Sequence, residues 1–274
     1  MINLFNYIDR KSPIHELTGA TKFLVLILWM AAAMLTYDTR LLVFLSVMSI
    51  ILFRISRIRL KDVSFLIGFT AIFLIMNNVL VYLFSPEHGV EIYGSRTVII
   101  GSGKYALTGE QLFYHINLIL KYTATIPIAI LFVSTTNPSE FAASLNRIGV
   151  PYSIAYSVAL ALRYIPDIQR DYHEISQSQQ ARGIEMSKKE SLFRRLKSAG
   201  AILIPLILSS MDRIETISNA MELRGFGKKK KRTWYMARKF SKKDIIAIIF
   251  SVAVLAAALV LNILNNGRFY NPFG

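Results

Sequence analysis

The chain has 274 residues, 53% of them hydrophobic and only 18% charged, with a mean hydropathy of +0.42; this is too apolar for an ordinary soluble domain and selects the membrane class. Its 32 Lys and Arg against 17 Asp and Glu give a formal charge of +15, which in so apolar a chain marks cytoplasmic loops and anionic headgroups rather than nucleic acid. The absence of cysteine excludes disulfides and thiolate metal sites.

Met1 to Lys22 mixes Asp9, Arg10, Lys11, His15 and Glu16 with apolar residues, so no cleavable signal peptide is expected there. A span needs about 20 mostly apolar residues. Phe23 to Tyr37 and Leu41 to Phe53 are short for that and read as two antiparallel spans joined by a tight turn at Asp38-Thr39-Arg40. The connection from Arg54 to Lys61 is densely basic. Val63 to Phe84 is the third span, interrupted by Asn77 and Asn78. A polar outer loop, 85–109, follows, with five glycines and a β-leaning stretch at Thr97 to Ile100. Leu112 to Val133 is the fourth span and carries Lys121 and Pro127. Pro138-Ser139-Glu140 is a helix start that opens an amphipathic stretch, Phe141 to Ile148, ended by Gly149. Tyr152 to Gln180 begins apolar (Ile154 to Leu162) and turns polar after Arg163. Ser187 to Leu223 holds the apolar insert Ala199 to Met211 around Pro205. Both inserts are too short to span and suit helices lying in or under the inner leaflet. Ile245 to Leu264 is the fifth and cleanest span.

The fold class expected is therefore all-α: a four-span membrane domain at 1–134, coupling helices at 135–243, and a last span within 244–274. The short basic connection at 54–61 belongs in the cytoplasm by the positive-inside rule. Counting spans from it puts the N-terminus and the 135–243 region inside, and the C-terminus outside. The inner region holds 20 of the 32 Lys and Arg against 9 acids.

Two dipeptides stand out, Arg182-Gly183 and Arg224-Gly225, each closing a long amphipathic run. Gly just past a helix end accepts the left-handed conformation, and a cation in the last turn suits the helix dipole, so one such pair would be a cap. Two in the same region suggest paired docking ends, since Arg offers a rigid five-donor fork for a carboxylate-lined pocket. Other motifs point nowhere. Gly101-Ser102-Gly103-Lys104 imitates a phosphate loop, but Val98 stands where the first Gly belongs and Tyr105 where Ser or Thr would hold magnesium. Asp167, Asp171 and Glu174 share a helical face that a metal-dependent enzyme could use; the simpler reading is i,i+4 pairing of Arg163 with Asp167 and Arg170 with Glu174. The four histidines, His15, His88, His115 and His173, are scattered, so no metal site is expected. Asn77, Asn78 and Lys121 inside spans are either functional or interhelical glue. The basic run Lys228 to Arg232, continued by Arg238, Lys239, Lys242 and Lys243, reads as a lipid anchor beside the last span.

Taken in order, several stretches resemble the T component of energy-coupling factor transporters, the EcfT family that includes the cobalt-uptake protein CbiQ. They are Leu17-Thr18-Gly19-Ala20-Thr21-Lys22, Thr135-Thr136-Asn137-Pro138-Ser139-Glu140-Phe141, Leu145-Asn146-Arg147-Ile148-Gly149-Val150-Pro151, Ala159 to Pro166, Ala181-Arg182-Gly183 and Leu223-Arg224-Gly225. The last departs from the family's Ala-Arg-Gly by its Leu. The resemblance implies a non-catalytic coupling subunit that joins two ABC-type ATPases to a membrane-embedded substrate-binding S component for vitamin or transition-metal uptake. ATP and magnesium would then sit on the partner ATPases, with no cofactor on this chain. Ala181, Arg182, Gly183, Leu223, Arg224 and Gly225 would dock the ATPases. Phe141, Leu145, Ile154, Val158, Leu162, Leu203, Leu206 and Ile207 would seat the S component. The rival readings are a metal-dependent membrane enzyme and a self-sufficient secondary carrier.

Overall fold

A computed structural model describes residues 10, 12–184, 192–228, 233–234, 238–265 and 267–273. It forms two compact units, one from residues 1–137 and 238–274 and the other from residues 138–237.

The first unit contains α1 (Pro13–Glu16), α2 (Gly19–Leu35), α3 (Thr39–Ile55), α4 (Ser64–Phe84), α5 (His88–Tyr93), α6 (Gly109–Thr135) and a last helix, Lys242–Leu264. All five expected spans are helices, with ends that lie within four residues of those expected. Three segments are long and apolar enough to cross a membrane: 60–84, α6 and Lys242–Leu264. At 17 residues each, α2 and α3 reach about 25 Å. The protein is thus an all-α polytopic membrane protein. α6 is the central helix, with 44% of its apolar window buried against none for 60–84.

Small residues let the helices approach closely: Ala32, Ala33, Ala124 and Ala258 are fully buried. Where they meet, hydroxyls bond backbone carbonyls. Ser46 Oγ donates to Leu120 O at 2.9 Å, and Ser49 Oγ lies 2.9 Å from Thr123 O. The second contact has a cause: Pro127 has no N–H to offer the carbonyl four residues earlier, which is that of Thr123. The Trp29 indole N–H donates to Ala124 O at 3.0 Å. At one end of the bundle, Asp244 joins two helix starts. It closes a capping box with Ser241 and accepts from the backbone N–H of Thr18, the cap of α2, at 2.8 Å.

At the other end, Asp38 is wholly buried and caps α3. Burial alone would raise its carboxyl, but hydrogen bonds from Arg40 and Asn265 outweigh that and hold it below the usual carboxylate range. The expected outer loop contains more order than its composition suggests. It holds α5, ended by Gly94 at φ 71°, and an antiparallel pair, β1 (Val98–Ile100) with β2 (Leu107–Thr108). Gly89 of α5 is required by contact, since a Cβ there would stand 2.6 Å from the backbone of Gln111. The loop that imitates a phosphate site is the β1–β2 turn, with Gly101 at φ 90° and Gly103 at φ 81°.

The second unit contains α7 (Pro138–Arg147), α8 (Tyr152–Ala181) and α9 (Leu192–Leu223); Lys242–Leu264 is α10. The expected start of the third coupling run at Ser187 and the basic residues 229–232 lie outside the described residues. Among the described residues neither expected ion pair along α8, Arg163 with Asp167 or Arg170 with Glu174, forms; the acid of that face that is paired, Asp171, binds Arg213 of α9 at 2.6 Å. Arg213 also lies 6.0 Å from the Tyr164 ring centroid of α8.

Candidate functional site

The two Arg-Gly ends have the same backbone. In the first, Gly183 N–H donates to Gln180 O at 3.0 Å and Ile184 N–H to Gln179 O at 3.1 Å. In the second, Gly225 N–H donates to Glu222 O at 2.8 Å and Phe226 N–H to Met221 O at 2.9 Å. These are Schellman motifs, which require a left-handed residue after the cap. Gly183 sits at φ 86° and Gly225 at φ 67°. α7 ends in the same way, with Gly149 at φ 107° and Val150 N–H donating to Leu145 O. The geometry alone therefore does not distinguish the Arg ends; the residue at the cap does. It is Ile148 after α7, and Arg182 and Arg224 after α8 and α9.

Both Arg ends are presented outward. Ala181, Arg182, Gly183 and Arg224 are exposed, and Leu223 is 90% exposed. The second end is also braced. Phe226, the apolar residue after the Gly, packs on Tyr156 and Tyr152 with ring centroids 4.9 and 5.7 Å apart. Trp234 joins this cluster 5.4 Å from Tyr152 and donates its indole N–H to Asn146 at 3.1 Å. The start of α8 and the end of α9 are thus held together.

The contacts of Tyr156 with Phe226 and of Asp171 with Arg213 mean that α8 and α9 run antiparallel. Arg182 and Arg224 consequently cap opposite ends of the pair. Leu160 shares a groove with Met221 and Phe226, and Arg182 follows it by 22 residues, roughly 30 Å along the helix. Two ends that far apart cannot enter one pocket.

The apolar residues expected to receive a membrane partner divide in two. Ile154, Leu203 and Ile207 are exposed. Phe141, Leu145, Val158, Leu162 and Leu206 are half-buried within the unit. Sequence reasoning missed Ile204, Leu208, Met211 and Ile214, all exposed. With Leu203 and Ile207 they form one stripe at helical spacing; the signal lay in the run 203–214, hidden by an insert read as a block.

Two of the three polar residues noted within spans make contacts inside the bundle. Asn78 Oδ1 lies 2.9 Å from His115 Nδ1 of α6, and His115 in turn contacts Gln111. Lys121 donates to Met34 O at 3.1 Å and lies 3.6 Å from the Tyr37 ring centroid. Asn77 is half-buried and makes no side-chain hydrogen bond among the described residues. Also among the described residues, no three His, Asp or Glu side chains converge on a metal position, and Asp171 is engaged by Arg213.

The profile of CbiQ, the cobalt transport protein family, matches residues 10–235. The chain belongs to the CbiQ family. Its relatives include the energy-coupling factor transporter transmembrane protein EcfT of Bacillus selenitireducens, 28% identical over 263 residues, covering 93% of this chain and 94% of that one. The EcfT of Lactococcus lactis subsp. cremoris is 25% identical over 266 residues, 93% and 95% of the two chains. That of Limosilactobacillus fermentum is 29% identical over 170 residues, 59% and 63%. The CbiQ match thus takes in α2 to α9, with both Arg ends and the aromatic brace at Trp234.

Proposed function

We propose that this CbiQ-family chain is the non-catalytic transmembrane coupling subunit of an energy-coupling factor importer. In this reading Arg182 and Arg224 dock two cytoplasmic ABC-type ATPases, which bind ATP and magnesium. The apolar faces of α7 to α9 seat a membrane-embedded S component that recognises a vitamin or transition metal. The observation that carries the reading is the pair of matching Arg-capped ends at opposite ends of one antiparallel hairpin. An ATP-driven change in the spacing of two ATPases would pull on both ends and be passed to whatever rests on the helices between them.

The test is uptake and co-purification with Arg182→Ala and Arg224→Ala, singly and together. If each guanidinium enters a desolvated acidic pocket, each truncation costs about 2–5 kcal/mol of docking, a tenfold to several-thousandfold loss. The double variant is expected to insert normally, lose both ATPases on mild-detergent purification and abolish coupled uptake. Wild-type uptake by the double variant would overturn the docking assignment.

A further inference from the structure

The first unit contains a cavity of about 460 Å³ between α2, α3, α6 and α10, at the end of the bundle where α2 and α10 begin. Its size falls among ordinary ligand pockets. The walls are hydrocarbon and ring, including Val25, Trp29, Leu52, Leu131 and Phe250. Among the described residues, the only ionisable ones that line it are Lys22 and Lys243. Lys22 is 7% exposed and donates to Thr135 O at 2.7 Å. The hydroxyl of that same Thr135 is buried and, among the described residues, has no hydrogen-bond partner. A buried polar group without a partner is costly, and the residue that carries this one lines the cavity and bonds the Lys22 ammonium through its carbonyl. Lys243 lies at the rim, exposed and paired with Glu16.

We propose that this cavity binds an anionic phospholipid. One acyl chain lies along Val25, Trp29 and Phe250, and the phosphate reaches Lys22, Lys243 and the Thr135 hydroxyl. Three features select this occupant. An apolar chamber in a membrane protein is filled from the bilayer. Both ionisable lining groups are cations. The Thr135 hydroxyl can donate to a phosphate oxygen, which satisfies it. The same end of the bundle ends α3 and carries Arg54, Arg57 and Arg59, so it belongs to the leaflet whose anionic lipids attract cations. The site differs from a diffuse basic anchor because it requires a chain-length cavity and one particular hydroxyl.

Trp29 lines the cavity, and the chain has only two tryptophans. A Trp234→Phe variant of the full chain therefore reports from the cavity alone. It would be reconstituted in phosphatidylcholine vesicles containing either brominated phosphatidylglycerol or brominated phosphatidylcholine at equal mole fraction. The expected result is saturable quenching of Trp29 with about a fivefold preference for phosphatidylglycerol. Thr135→Val should reduce the preference, and Ala247→Phe, which fills the cavity, should abolish saturable quenching while the helical circular dichroism is retained. Equal quenching by both lipids, or quenching untouched by Ala247→Phe, would overturn the proposal.

Discussion

At the residue scale, the second position of each Arg-Gly pair is as constrained as the first, for a different reason. Gly183 lies at φ 86°, and among the described residues nothing stands within 4 Å of where a Cβ would be. Substitution there costs backbone strain and not crowding, about 1–2 kcal/mol for an ordinary L-residue. Asn tolerates this conformation and Val does not. Retention of an ATPase partner on purification should therefore fall in the order Gly, Asn, Ala, Val at position 183, with the bulk fold unchanged. Wild-type retention by Gly183→Val would mean that the Schellman turn is not what aims Arg182. The residues that carry this argument were legible without coordinates, because Gly after a cation at the end of an amphipathic run has few uses. The aromatic brace behind Arg224 was not legible. Tyr152, Tyr156, Phe226 and Trp234 are separated by up to 82 positions, and no local pattern announces that they meet.

At the element scale, the sequence shows a proline inside a span but not what compensates for it. Pro127 is carried on α6 with its neighbours still helical, and the carbonyl it leaves unbonded, that of Thr123, meets Ser49 Oγ from α3. Ser49→Ala should therefore cost roughly 1 kcal/mol in resistance to denaturing detergent. Pro127→Ala would restore the N–H that bonds Thr123 O within α6. In that background the cost of Ser49→Ala should largely vanish, giving an interaction energy in the double-mutant cycle about equal in size and opposite in sign to the single-mutant cost. Equal costs in both backgrounds would sink the idea that the serine answers the proline. Span positions were readable from hydropathy because lipid imposes one requirement on all of them. β1 falls on the stretch read as β-leaning, but the small helix α5 and the partner strand β2 were not legible, because they are held by contacts distant in sequence, such as Gly89 against Gln111 and Glu110 accepting from Thr97 at 2.6 Å.

At the scale of the whole molecule, the coupling role depends on sidedness. A single span, α6, stands in sequence between the β1–β2 turn and the Arg ends, so in the proposed reading they must face opposite compartments if α8 and α9 do not cross. By the positive-inside rule, the cationic connection at 54–61 is expected to put the Arg ends in the cytoplasm. The absence of native cysteine makes this directly measurable with single introduced thiols. Ser102→Cys in the outer turn and Glu222→Cys one turn before the second Gly are both exposed positions. In intact cells, a membrane-impermeant maleimide should label position 102 and spare position 222; in inverted vesicles the pattern should reverse. If position 222 were labelled from outside, one of the long coupling helices would have to cross the bilayer, and the Arg ends could not reach a cytoplasmic ATPase. The apolar stripe from Leu203 to Ile214 makes this a real contest, because a half-apolar helix of 32 residues is long enough to span. What argues against crossing is its charge: Arg213 is held by Asp171 near the middle of the hairpin, and burying that pair in hydrocarbon would cost several kcal/mol.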